Sequence, residues 1–112
     1  MNEIIEINTE DIIDGRQESH RYIKFSKPYI FEEDTYTGID ISSLEELTTQ
    51  DLIEIEKKFY KLGVISFNPE NTVAYTKVVA QRATGMPIEF FEQLPVKEML
   101  KIKNHIVNFF YN

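Results

Sequence analysis

A chain of 112 residues with 42% hydrophobic content has the size and composition of one soluble globular domain. It contains no cysteine, which excludes disulfides and thiolate chemistry, and no apolar run approaches the ~18 residues of a membrane span. The net charge of −7 argues against nucleic-acid binding, and the acidic beginning of the chain is unlike a basic signal peptide, so we expect a cytoplasmic protein.

The first 20 residues are polar and acidic. They show little hydrophobic periodicity apart from the short alternating patch EIIEI. Segments of this composition bury too little apolar surface to fold alone. The sequence therefore predicts a flexible acidic arm over residues 1–20, with one short edge strand as the alternative. Residues 21–112 are predicted to form a single domain.

Residues 21–42 change to alternating patterns of aromatic and β-branched residues, which are typical of β-strands. The stretch EEDTYTG between the two alternating parts has the composition of a turn and ends at Gly38. A small β-hairpin is predicted here, with its turn in that stretch. Pro28 has no amide hydrogen to give to a ladder, so we expect it at an edge or a bulge.

Helix signals dominate the rest of the chain. Asp51 follows Thr48 by three residues, which is typical of a capped helix start, and Gly63 is typical of a helix end. The Asn-Pro pair at residues 68–69 predicts the cap and first residue of a second helix. The predicted fold is mainly α within the α+β class, a hairpin followed by three to four short helices. These helices span about residues 49–62, 69–84, 87–93 and 95–110.

Residues that could carry chemistry are few and scattered. Neither His20 nor His105 has a His, Asp or Glu at metal-ligand spacing on a shared helical face. Adjacent acids at residues 32–34 and 45–46 are of the type that act as paired general acid and base, but they fall in a turn and before a helix cap. The glycines are isolated and form no phosphate-binding loop. We expect no enzyme activity and no catalytic, cofactor-binding or metal-binding residues.

Charge is divided unequally along the chain. Residues 1–56 hold fifteen acids and four bases, whereas residues 57–112 hold four acids and eight bases. A solvated acidic tail explains this division, and so does a dipolar molecule that associates head to tail as a weak homo-oligomer. Lys24 and Lys27 stand among aromatic residues, as in sites that stack bases, but nearby acids would repel phosphates. Ordinary hairpin packing is the preferred interpretation.

The order of motifs along the chain narrows the range of possible functions. FSKPYIF precedes LTTQDLIEIEKK, and VVAQRATGMPIEFFEQLPVKEMLKIKNHIVNFF follows. This order resembles the small tail assembly chaperones of long-tailed bacteriophages and prophages. Their pattern is Leu-Thr-x-x-Asp-Leu, later Ala-x-x-x-Gly-hydrophobic-Pro-x-Glu, then a Leu and a closing apolar helix. The matching positions, all within residues 21–112, are Leu47, Thr48, Asp51, Leu52, Ala80 or Ala83, Gly85, Met86, Pro87, Glu89 and Leu94.

The resemblance implies a non-enzymatic chaperone in the cytoplasm of the bacterial host. It would bind the tape measure protein, keep it soluble and help to recruit tail tube subunits, and it would be absent from the mature virion. In many such phages a programmed frameshift adds a longer form. The alternative function is a phage-encoded acidic inhibitor that mimics DNA and blocks a host protein, and a small enzyme without a recognisable motif is a further alternative.

The last third of the chain is the predicted partner-binding surface, because a helix-break-helix element can present apolar groups to a partner helix. Adjacent helical residues point about 100° apart, so we expect one of the rings at positions 90 and 91 to be buried and the other partly exposed. The alternative is that all these rings pack in the core. The predicted partner-binding residues are Phe90, Phe91, Leu94, Phe109, Phe110 and Tyr111.

Overall fold

The computed structural model describes residues 21–111, in which an antiparallel β-hairpin precedes four α-helices. Short 3-10 turns over Ser42–Glu46 and Pro69–Asn71 precede the first and second helices. The predicted class, mainly α within α+β with an N-terminal hairpin, is confirmed. The predicted arm over residues 1–20 lies outside the described residues. The elements are β1 (Tyr22–Phe31), β2 (Asp34–Asp40), α1 (Thr49–Lys61), α2 (Val73–Thr84), α3 (Ile88–Glu92) and α4 (Val96–Tyr111).

The hairpin turn is shorter and earlier than predicted. Glu32 and Glu33 alone connect the strands, and both have positive φ angles, 50° and 75°. Two consecutive left-handed residues are typical of a type I′ turn, whose twist matches that of the flanking strands. The predicted turn over EEDTYTG is wrong, because β2 begins at Asp34 and Gly38 lies inside it. The sequence does not indicate a turn at these two residues, because Glu is not favoured in the left-handed region.

The middle of β1 is irregular. Its pairing with β2 shifts between Lys24 and Tyr29, and Pro28 lies within that stretch. The irregularity agrees with the expectation for Pro28, which has no amide hydrogen to donate to a ladder. Gly38 pairs with Lys24, and a Cβ at this glycine would come within 2.5 Å of the Ile23 carbonyl oxygen. The close approach of the strands therefore requires glycine at this position.

The start of α1 follows the predicted capping signal. Thr48 Oγ1 accepts a hydrogen bond from the Asp51 amide (3.2 Å), and the Asp51 carboxylate accepts one from the Thr48 amide (2.8 Å). This capping box satisfies two amides that the helix leaves without a partner. Gly63 has a φ of 76°, which is the left-handed conformation typical of the residue after a helix. The helix predicted over residues 49–62 is thus observed as Thr49–Lys61.

The second helix begins later than predicted. Pro69–Asn71 forms a 3-10 turn, and the Asn68 side chain makes no capping hydrogen bond. Instead, Thr72 Oγ1 accepts a hydrogen bond from the Tyr75 amide at 3.1 Å, and α2 begins at Val73. Asn68 and Pro69 therefore take the predicted cap and first positions of the 3-10 turn, but the prediction that the α-helix itself begins at Pro69 is wrong. Thr72 is a second good capping residue a few positions on, and its side chain makes the capping bond.

An aromatic cluster connects the hairpin to the helices. The ring of Phe90 on α3 packs edge-on against Tyr29, Phe31 and Tyr36, with centre distances of 5.1, 5.4 and 5.0 Å. The Tyr29 hydroxyl donates a hydrogen bond to the Phe90 carbonyl oxygen at 2.7 Å, which satisfies a buried polar group. Edge-on aromatic contacts add stability beyond the area that they bury. The cluster fixes α3 against the inner face of the hairpin.

Candidate partner-binding surface

Three of the predicted partner-binding residues belong to the core. Phe90, Phe91 and Leu94 are 0%, 2% and 7% exposed. The expectation that one of the two phenylalanine rings stays partly exposed is wrong. Helix α3 is covered on both sides, because Phe90 packs against the hairpin and Phe91 lies among residues of α2 and α4. Neither ring projects from the surface, although Phe91 and Leu94 help to line a groove described below.

The other three predicted residues lie at the end of α4 and are accessible in part. Phe109 and Phe110 are half-buried, whereas Tyr111 is exposed and its hydroxyl donates a hydrogen bond to the Glu70 carboxylate. The Arg21 guanidinium lies 5.2 Å from the centre of the Phe109 ring, a cation–π contact. A role for this end of α4 in binding stays a prediction. A small groove of about 220 Å³ lies here, and it is called groove 3 because two larger grooves are described next. It is lined by Leu47, Thr48, Thr49, Leu52, Ile55, Phe109 and Phe110.

An apolar groove of about 340 Å³, groove 1, lies between α2, α3 and α4. On its α4 side, Val96 and Leu100 are exposed to solvent although both are apolar. Exposed apolar residues grouped around a concave surface indicate an interaction site more strongly than scattered ones do. Groove 1 is lined by Val73, Lys77, Phe91, Glu92, Leu94, Val96, Met99 and Leu100.

A second groove of about 370 Å³, groove 2, lies between α1, α2 and α3. It combines apolar side chains with three lysines and one glutamate. Lys77 Nζ and Glu92 Oε2 form an ion pair at 2.9 Å, and both residues line both grooves. This pair joins α2 to α3 where the two grooves meet. Groove 2 is lined by Lys58, Lys61, Leu62, Lys77, Val78, Gln81, Ile88 and Glu92.

An exposed apolar connector follows α1. It runs from Leu62, which lines groove 2, to Val73, which lines groove 1. Ile65 and Phe67 between them are fully exposed to solvent. Isolated apolar residues on a surface are ordinary, but large ones in the segment that joins two grooves add to a candidate interface. The sequence analysis did not predict Ile65 and Phe67 as interface residues. The apolar stretch VISF belongs to no periodic pattern, and this feature could have indicated them.

Titratable groups in the described part of the chain do not converge on a site. The acids of the hairpin turn are exposed, and Glu45 pairs with Arg21 at 2.7 Å. Burial, with smaller effects of Glu56 and Glu70, raises the pKa of Tyr75 to about 12, so its hydroxyl stays protonated. Within residues 21–111, no cluster of three or more His, Cys, Asp or Glu side chains could hold a metal ion.

Most of the net charge is carried by residues 1–20, which the structure does not describe. Residues 1–20 contain six acids and one arginine, which account for five of the seven net negative charges. Of the aromatic residues beside the hairpin lysines, Phe25 and Tyr29 are buried and only Tyr22 is exposed, so two of these three rings are not accessible for stacking bases. The helices of residues 21–111 include none with the length and hydropathy needed to cross a bilayer. Comparisons with protein-family models, with curated proteins and with solved structures each found no match to this chain.

Proposed function

We propose that the protein is a non-enzymatic tail assembly chaperone of a long-tailed bacteriophage or prophage, and that it binds the tape measure protein. The observation that carries the proposal is groove 1, the apolar groove between α2, α3 and α4, which is lined in part by the exposed side chains of Val96 and Leu100. Grooves between helices accept the apolar face of an amphipathic helix. The resemblance of residues 21–112 to the chaperone family implies a long helical partner of this kind.

Binding would cover apolar surface on both molecules. A partner helix with apolar residues at every third and fourth position can contact Val96 and Leu100 while its polar face stays in water. Buried apolar surface contributes about 25 cal/mol/Å², but the cost of association opposes it, so small grooves give weak binding. Weak binding suits a chaperone that yields its partner to tail tube subunits. Release by competition needs no nucleotide.

The proposed place of action is the cytoplasm of the bacterial host, before and during tail assembly. There the chaperone keeps the tape measure protein soluble and helps to recruit tail tube subunits, and it does not remain in the mature virion. Several copies on one long partner would favour a weak homo-oligomer. The alternative, an acidic inhibitor that mimics DNA, has less support, because residues 21–111 hold thirteen acids and eleven bases and so carry little net negative charge.

Coexpression with the tape measure protein encoded in the same genome tests the proposal. The test variant is Val96→Gln/Leu100→Gln, which removes apolar groups from groove 1. The matched control is Ile30→Gln/Ile53→Gln, since these side chains are 71% and 41% exposed, against 72% and 41% for the test pair. The control pair lines none of the three grooves.

We expect the wild-type chain and the control variant to keep the tape measure protein in the soluble fraction and to copurify with it. The groove variant should do neither, while its thermal unfolding stays close to that of the control. If the wild-type chain neither solubilises nor copurifies the partner, the proposed function is wrong. If the groove variant performs as well as the control, groove 1 is not the binding surface.

A further inference from the structure

Groove 2 combines a basic rim with an apolar bottom. Its one acid, Glu92, is already paired with Lys77 at 2.9 Å. Lys58 Nζ donates to the neutral side chain of Gln81 at 3.3 Å. Among residues 21–111, no carboxylate forms an ion pair with Lys58 or Lys61. The groove therefore suits a ligand that carries both apolar groups and carboxylates.

The chain itself contains a segment of that chemistry. Residues 3–14, EIIEINTEDIID, hold five isoleucines, five acids and no base. Exposed ion pairs are individually weak, so apolar contact must contribute to affinity while the charges orient the segment. We propose that groove 2 binds residues 3–14 of the same chain, as an internal ligand that a partner must displace. This inference does not depend on the identity of that partner.

The segment is long enough to reach the groove within one chain. Arg21 contacts Phe109 near the end of α4, whereas groove 1 and the Lys77–Glu92 pair lie near the start of that helix. Helix α4 has 16 residues, which makes it about 24 Å long. Ile7 is fourteen residues from Arg21, a separation that spans up to about 46 Å when extended. The extended tether is therefore almost twice as long as the helix that separates Arg21 from the Lys77–Glu92 side of groove 2.

Tethering also favours the same chain over a second copy. Attachment through a short stretch of chain gives the segment an effective concentration in the millimolar range. A segment from another copy competes only when the protein concentration approaches that range. At ordinary concentrations the occupant of groove 2 is therefore the chain's own segment.

Paramagnetic broadening in the full chain tests this contact. The protein has no cysteine, so Asn8→Cys places a single nitroxide spin label within residues 3–14. We expect the amide resonances of Leu62, Val78 and Ile88 to lose most of their intensity and to recover when the label is reduced. Lys58→Gln/Lys61→Gln should abolish the loss. The control, Lys57→Gln/Lys97→Gln, alters two exposed helical lysines that do not line groove 2 and should preserve it.

A mixed sample identifies the source of the segment. It combines an isotope-labelled chain without the nitroxide and a spin-labelled chain without the isotope. Absence of broadening in this mixture, with broadening in the doubly labelled chain, supports the intramolecular contact. Equal broadening in both samples would assign the segment to a second copy and overturn the proposal. Broadening at other amides, none at all, or an unchanged loss in Lys58→Gln/Lys61→Gln would overturn it as well.

Discussion

The Glu98 carboxylate accepts a hydrogen bond from the Ser26 backbone amide at 2.8 Å, and this contact connects the first turn of α4 to the irregular stretch of β1. The second carboxylate oxygen, Oε1, makes no well-formed hydrogen bond but lies 3.0 Å from Lys101 Nζ. Lys101 in turn donates to the carbonyl oxygen of Lys24 at 3.0 Å. An almost fully buried carboxylate thus supplies a partner to an amide where the strand pairing is interrupted.

Glu98→Gln should destabilise the fold in a pH-dependent way. Burial raises the pKa of Glu98, but the close Lys101 ammonium and the hydrogen bond from the Ser26 amide outweigh it, so the pKa lies below its ordinary value. Such a group contributes stability above its unfolded pKa and loses that contribution as the pH falls through the folded pKa. We expect a loss of about 1–3 kcal/mol in unfolding free energy at neutral pH. The loss should shrink below about pH 4.

Urea denaturation at neutral and acid pH measures this effect. Glu46→Gln serves as the control, because Glu46 is exposed and forms no ion pair within the described part of the chain. If the loss of unfolding free energy stays constant as the pH falls, the substitution disturbs packing and not a charge interaction. In that case the ion pair with Lys101 would not be the source of the stability.

The hairpin turn offers a stabilising substitution. Glu32 and Glu33 are held in the left-handed region, which costs roughly 1 kcal/mol or more for each residue with a Cβ. Glu32→Asn/Glu33→Gly introduces the pair favoured in type I′ turns, so we expect the unfolding free energy to rise by about 1 kcal/mol. Gly38→Ala should have the opposite effect, because its Cβ would meet the Ile23 carbonyl oxygen. Thermal unfolding of both variants measures the signs, and a less stable Asn-Gly variant would contradict the strain argument.

The parts of the fold that were predictable have local causes. Thr48, Asp51 and Gly63 act on backbone groups within a few residues, so their pattern alone predicts where α1 begins and ends. The turn at residues 32–33 was not predictable, because Glu-Glu has no left-handed preference and only the pairing of β1 with β2 selects it. Burial of Phe91 likewise depends on α2 and α4, which cover α3 on the side away from the hairpin.

The difference in burial between Phe91 and Phe109 predicts unequal losses of unfolding free energy when each ring is removed. Phe91→Ala removes a ring that is almost fully buried, so we expect a loss of about 3–5 kcal/mol from the lost contacts and the cavity. Phe109→Ala removes a half-buried ring and its contact with the Arg21 guanidinium, and should cost about 1–2 kcal/mol. Urea unfolding of both variants gives the comparison. Equal losses would contradict the difference in burial between the two rings.

Weak, salt-sensitive self-association follows from the proposed contact of residues 3–14 with groove 2. Made between copies, the same contact links unlike surfaces head to tail and does not close on itself as a dimer does. Since the chain's own segment competes at a millimolar effective concentration, association should be slight in the micromolar range and grow as the concentration rises. Raising the ionic strength from 0.1 to 1 M shortens the Debye length from about 10 to about 3 Å and should suppress it.

Sedimentation velocity at rising protein concentration and at these two salt levels measures the association. We expect the average mass to increase gradually at low salt, to increase less at high salt, and to increase least for Lys58→Gln/Lys61→Gln. The matched Lys57→Gln/Lys97→Gln variant should behave as the wild type does, because neither lysine lines groove 2. A dimer of fixed size at every concentration would contradict an open head-to-tail contact, because such a contact leaves a free groove and a free segment at the two ends of every assembly.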